Sequence, residues 1–171
     1  LTVINQIRTL LLAAWLGAAI YFSAVVAPST FAALRSFSLP NAGEIAGTIV
    51  TRTLSVVNLS GFVFSLLLLV SAFALKRSYS RTSLLLQTLL LAIVATAMGV
   101  GEWVIAARMR GLRAAMRGHI DQVALSDPNR VAFAALHGYS VAALGIAMLA
   151  AIAVILIMVL SREIPSPIAT K

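Results

Sequence analysis

Four apolar runs, residues 7–27, 53–75, 83–107 and 131–160, constrain this chain more than any other feature. Crossing a hydrocarbon core of roughly 30 Å takes about twenty helical residues, and each run is long enough. Backbone groups in lipid must be hydrogen-bonded internally, which leaves helices or a closed barrel. No alternating ten-residue pattern suggests the barrel. The expectation is therefore an all-α membrane protein, a single domain over 1–171, with four transmembrane helices in a bundle and short interfacial helical extensions. Composition agrees: 61% apolar and 11% charged residues, with a mean hydropathy of +1.01, lie far outside the soluble globular range. Arg8 before the first run resembles the start of a signal peptide. About twenty apolar residues exceed the usual signal core, though, and Pro28 follows directly, so the run reads as an anchor.

Four spans put both termini and the 76–82 loop on one face, side A, and the two longer loops on the other, side B. Side A carries Arg8, Lys76, Arg77, Arg81, Arg162 and Lys171. Side B carries Arg35, Arg52, Arg108, Arg110, Arg113, Arg117 and Arg130. Six cations oppose seven, so the positive-inside rule sets no orientation. The net charge of +8 would suggest nucleic acid in a soluble chain. Here the cations flank apolar runs, where they meet lipid phosphates, and no nucleic-acid motif accompanies them.

Side B has structure of its own. After Pro40, "NAGE" puts Asn41 at an N-cap and Glu44 three residues on, a capping-box pattern that starts a helix leading into the second span. Beyond the third span, Met109, Leu112, Met116, Ile120 and Val123 recur at helical spacing beside a polar row of Arg110, Arg113, Arg117 and Asp121. This predicts an amphipathic extension, with Arg108, Arg110, Arg113 and Arg117 reaching lipid headgroups or a partner. In "SDPNR", Asp127 caps and Pro128 takes the first helical position of the fourth span. The tail "IPSPIATK" cannot be helical around its prolines. Ala13, Ala14, Gly17 and Ala18 form a small-residue stripe suited to close helix packing, with Trp15 offset from it.

The informative residues are polar ones inside the spans. Asn58 lies six residues after Arg52, Glu102 six before Arg108, and His137 seven after Arg130. All three are thus roughly 9 to 11 Å in from side B. Ser23 is at a similar level, and Ser140 shares a helix face with His137. A carboxylate facing lipid costs about 2.5 to 3.5 kcal/mol, so Glu102 should turn inward. One polar cluster of Ser23, Asn58, Glu102, His137 and Ser140, closed on itself, is the prediction.

Such a cluster suits a proton relay, a metal site or a structural hydrogen-bond knot. With no cysteine, scattered methionines and His119 in a loop, no dedicated metal site is predicted. No catalytic residue is assigned, because Ser140 and His137 share one helix and no triad is evident. No cofactor is predicted. His137 as the single axial ligand of a haem or a chlorophyll-type pigment is the cofactor alternative.

"WLGAAIYFSAVVAPSTFAAL", "NAGEIAGTI" and "FAALHGYS", in that order, resemble a bacterial four-helix membrane family of unknown function, the transmembrane protein 205-like or DUF4149 type. Trp15, Gly17, Pro28, Phe31, Ala42, Gly43, Phe133, His137, Gly138 and Ser140 carry the resemblance. It implies four helices in a bacterial cytoplasmic membrane, with metal or drug handling proposed for the animal member. Two positions depart from the animal pattern: Trp103 follows Glu102 where proline is frequent, and Leu144 stands where asparagine is common. The expected role is a non-catalytic accessory subunit that packs against lipids and other integral subunits of a respiratory or photosynthetic assembly. A small transporter or metal- or drug-handling protein centred on His137 and Glu102 is the alternative.

Overall fold

The computed structural model describes residues 2–76 and 79–160, and every regular element among them is helical. In chain order these are α1 (Thr2–Tyr21), a first π segment (Phe22–Val26), α2 (Ala27–Ser36), α3 (Ala42–Ala74), α4 (Arg81–Gly99), a second π segment (Val100–Ala106), α5 (Ala107–Ala115) and α6 (Pro128–Leu160). Several of these join end to end, leaving four rods: Val3–Ser36, Ala42–Ala74, Arg81–Ala115 and Pro128–Leu160. Each is long and apolar enough to cross a membrane. Arg77, Arg162, Lys171 and the proline-containing tail lie outside the described residues.

The rods are longer than the bilayer requires. A helix of 33 residues such as α3 or α6 measures about 50 Å, some 20 Å more than the hydrocarbon core. The apolar runs start or end close to the side A ends, so the excess projects from side B. It consists of α2, the first turns of α3, α5 and the start of α6.

In the ring, α4 packs between α3 and α6, and α1 closes the circle against both. Leu12, Trp15, Leu68, Leu91, Met98 and Val154 fill the centre. One close approach is between α1 and α3. Trp15 Nε1 donates to the Val57 carbonyl at 2.9 Å, and its ring lies over Gly61, where a Cβ would stand 2.6 Å from it. The small-residue stripe is placed differently from the expectation: Ala13, Ala14, Gly17 and Ala18 are exposed, and Trp15 faces the core. The physical reason is burial, since an indole has far more apolar surface to remove from water or lipid contact than the small side chains beside it.

Pro28 explains the first π segment. It has no N–H for the Ala24 carbonyl, and the helix widens so that Ala27 N–H reaches back five residues to Phe22 O. In the second π segment, Gly101 lets α3 come close: a Cβ there would lie 3.4 Å from Asn58 Nδ2.

Ends of helices follow the sequence signals unevenly. Asp127 Oδ1 accepts from Asn129 N (2.8 Å) and Arg130 N (3.2 Å), so α6 begins as expected. Asn41 occupies the N-cap position of α3, but its side chain makes no capping bond. Asp121 takes that role from another loop, its Oδ2 accepting from Gly43 N at 3.0 Å and Glu44 N at 3.3 Å. The amphipathic extension is also shorter than its periodicity implied. Helix α5 stops at Ala115, Met116 is extended, and Gly118 has a φ of 95°. This left-handed turn folds the 116–127 loop back so that Asp121 reaches α3, while Met116 stays buried.

Candidate functional site: two polar layers inside the bundle

On the side B half, Glu102 lies in the second π segment with 8% of its surface exposed. Ser55 Oγ donates to its Oε1 at 2.8 Å, and Asn58 Nδ2 approaches its Oε2 at 3.5 Å. Asn58 is likewise buried. Two of the five expected cluster residues therefore meet, and Ser55 joins them. Ser55 stands one turn from Asn58 on the same helix face, a signal the sequence did contain.

The other three are placed elsewhere. Ser23 is exposed and bonds its own helix at Ala19 O (2.9 Å). Ser140 is buried on α6 but does not bond to Glu102 or Asn58. His137 is exposed on the outer face of α6. The correction has a phase argument. The buried stripe of α6 runs Ser140, Leu144, Ala147, Ala151, and one turn toward side B it arrives at Leu136. His137 is one residue, or about 100°, further round. Equal depth in the membrane did not make equal direction.

A second layer occupies the side A half. Arg8, counted from sequence as a flanking cation, is only 3% exposed. Its Nη1 donates to Asn5 Oδ1 (3.3 Å) and Tyr79 Oη (2.5 Å), and its Nη2 to Gln87 Oε1 (3.3 Å) and the Leu68 carbonyl (3.4 Å). The Tyr79 hydroxyl in turn donates to Asn5 Oδ1. Gln87 is fully buried and donates to Ser83 Oγ at 3.1 Å. Arg8 Nε has no partner. Among the described residues this guanidinium is held by neutral groups alone, and it ties α1, α3 and α4 together. The sequence carried the clue: Arg8, Leu12, Trp15, Ala19 and Phe22 recur at four- and three-residue steps and are all buried.

Outside the membrane, side B is clamped by charge. Glu44 pairs with Arg113 through Oε1 at 2.6 Å and with His119 Nδ1 through Oε2 at 2.6 Å. Arg113 is thus drawn inward, whereas Arg108, Arg110 and Arg117 stay exposed. Gly43 belongs to the same contact, because a Cβ there would lie 2.2 Å from Asp121 Oδ1. Arg113 first, and then His119, hold the Glu44 carboxyl below its usual range. A depressed carboxylate stabilises the fold above its ordinary titration range, and that contribution disappears as pH falls through the lowered one. Asp121→Ala should cost about 1 kcal/mol through the lost cap. Amide protection relative to the intrinsic exchange rate in residues 42–45 and 116–127 should fall in that variant, and in the wild type as the pH becomes acidic. Unchanged protection in both cases would show that the clamp does not hold the loop.

Among the described residues, no group of three or more His, Cys, Asp or Glu side chains is placed to hold a metal ion. Four apolar rods, with Arg8, Asn58, Gln87 and Glu102 buried among them, define a multi-pass integral membrane protein. The family described as "Domain of unknown function (DUF4149)" matches residues 10–118, and the chain belongs to that family. The matched range covers the first rod from residue 10 and the whole of the second and third, and ends before α6. No curated protein and no solved structure matches the chain.

Proposed function

We propose that this protein is a non-catalytic accessory subunit of a larger assembly in a bacterial cytoplasmic membrane, working through the outer surface of its bundle. The observation that carries this reading is the outward small-residue stripe of α1. Ala14, Gly17 and Ala18 are exposed, and nothing lies within 4 Å of a Cβ placed on Gly17. Small residues four apart let a second helix approach closely, an advantage only if such a helix is present. His137 on the outer face of α6 adds a side chain that gains from a hydrogen-bonding neighbour. The interior supports the same reading: Glu102 is engaged by Ser55 and Asn58, and Leu12, Leu91 and Met98 pack the centre between the two polar layers.

Extraction from its native membrane in mild detergent should yield a stoichiometric integral partner with the chain. Gly17→Ile should release that partner without lowering the unfolding midpoint of the bundle. A particle holding this chain alone overturns the proposal. Solute flux in proteoliposomes, abolished by Glu102→Gln, would then favour the transporter reading, and a visible absorption band would favour a cofactor on His137.

A further inference from the structure

Two grooves open on the outside of the bundle between the third and fourth rods. The outer one, about 490 Å³, is lined by Arg108, Gly111, Ala135 and Tyr139 among others. The inner one, about 430 Å³, is lined by Ile93, Ala97, Val100, Ala143 and Ile146 among others. Both are shallow and open outward along their length. On α6, Ala135, Tyr139, Ala143 and Ile146 follow at steps of four, four and three, which is one helix face. On the partner rod, Ile93, Ala97, Val100, Val104 and Arg108 do the same, with Val104 exposed between the two grooves. The grooves are therefore successive lengths of one seam.

Depth and charge say what fits it. Arg108 is the first cation beyond the third apolar run, so it stands at headgroup level on side B. One leaflet of hydrocarbon, about 15 Å, equals ten helical residues, which leads from Arg108 down to the level of Val100 and Ala97. The seam thus offers a cation at its outer end and an apolar trough one leaflet deep beneath it. Among the described residues, Arg108 and Arg110 have no carboxylate partner; Glu44 is taken by Arg113. A guanidinium is weakly hydrated and presents paired N–H donors to phosphate oxygens. With seven arginines on side B against Glu44, Asp121 and Asp127 beyond the membrane, a net negative headgroup is favoured over a zwitterionic one.

The geometry points to a binding site for one anionic phospholipid of the surrounding bilayer, with its phosphate on Arg108 and an acyl chain along the seam. This site does not depend on the accessory-subunit reading, since it needs no partner chain.

Reconstitution in vesicles of equal phosphatidylglycerol and phosphatidylcholine, re-extraction in mild detergent and mass spectrometry of the retained lipid test it. The wild type should retain phosphatidylglycerol in excess over the bulk ratio. Arg108→Gln should reduce that enrichment roughly fivefold. Gly111→Leu, at a position with nothing within 4 Å, should fill the outer groove and lower total retained lipid without lowering the unfolding midpoint. Arg117→Gln, in the 116–127 loop away from the seam, should leave the enrichment intact. Retained lipid at the bulk ratio overturns the proposal. So does full retention by Gly111→Leu, or an Arg117→Gln effect as large as that of Arg108→Gln, which would mark diffuse surface attraction.

Discussion

Gly61→Ala is expected to destabilise the bundle by about 2 kcal/mol, although alanine is the better helix former by roughly 0.5–1 kcal/mol. The new methyl would stand 2.6 Å from Trp15 Cε2 and Nε1 and 2.7 Å from Cζ2. Trp15 is 3% exposed, so its ring has no space into which to swing. Either the rods separate or the indole tilts and loses its bond to the Val57 carbonyl, a further cost of about 1 kcal/mol. Gly17→Ala, on the exposed face of α1 with open space around it, provides the control and should be neutral or stabilising. Reversible unfolding in detergent reads both variants. Equal effects at the two glycines would show that Trp15 is not seated as described.

Arg8→Ala is expected to have a still larger effect, about 2–4 kcal/mol. It would remove donors to Gln87, Tyr79, Asn5 and the Leu68 carbonyl at once, and leave a void where three rods meet. Gln87 suffers most, being fully buried with no water to replace the lost donor. Arg8→Met separates the two contributions. It restores much of the volume and removes the desolvation cost of the charge, so it should recover part of the loss. Arg8→Lys keeps the charge but not the planar fork, and should not restore wild-type stability. Wild-type stability in Arg8→Ala would mean that the layer contributes nothing.

These two residues also mark where the sequence could and could not be read. The four spans, the Asp127 cap and the inward turn of Glu102 followed from length, composition and the cost of a charge in lipid, which act on each segment alone. The buried phase of α1 was present in the spacing of Arg8, Leu12, Trp15 and Ala19, but charge counting had assigned Arg8 to the flank. The His137 expectation failed for a different reason. Depth along a helix is additive at about 1.5 Å per residue, whereas direction turns by about 100° at each step, so a one-residue error in phase exchanges core for lipid.

Sequence alone determined that the protein is helical, that it crosses a membrane four times, and that the Glu102 carboxylate had to be satisfied within the bundle. Lipid imposes those requirements on any chain so composed. Only the tertiary structure decided which polar groups meet: Glu102 with Ser55 and Asn58, Arg8 with Gln87 and Tyr79, and Asp121 rather than Asn41 at the start of α3. Those pairings join residues about 45 to 80 positions apart, as the separations of 44 to 79 between their partners record. They depend on helix rotation and loop folding, neither of which is encoded in local periodicity.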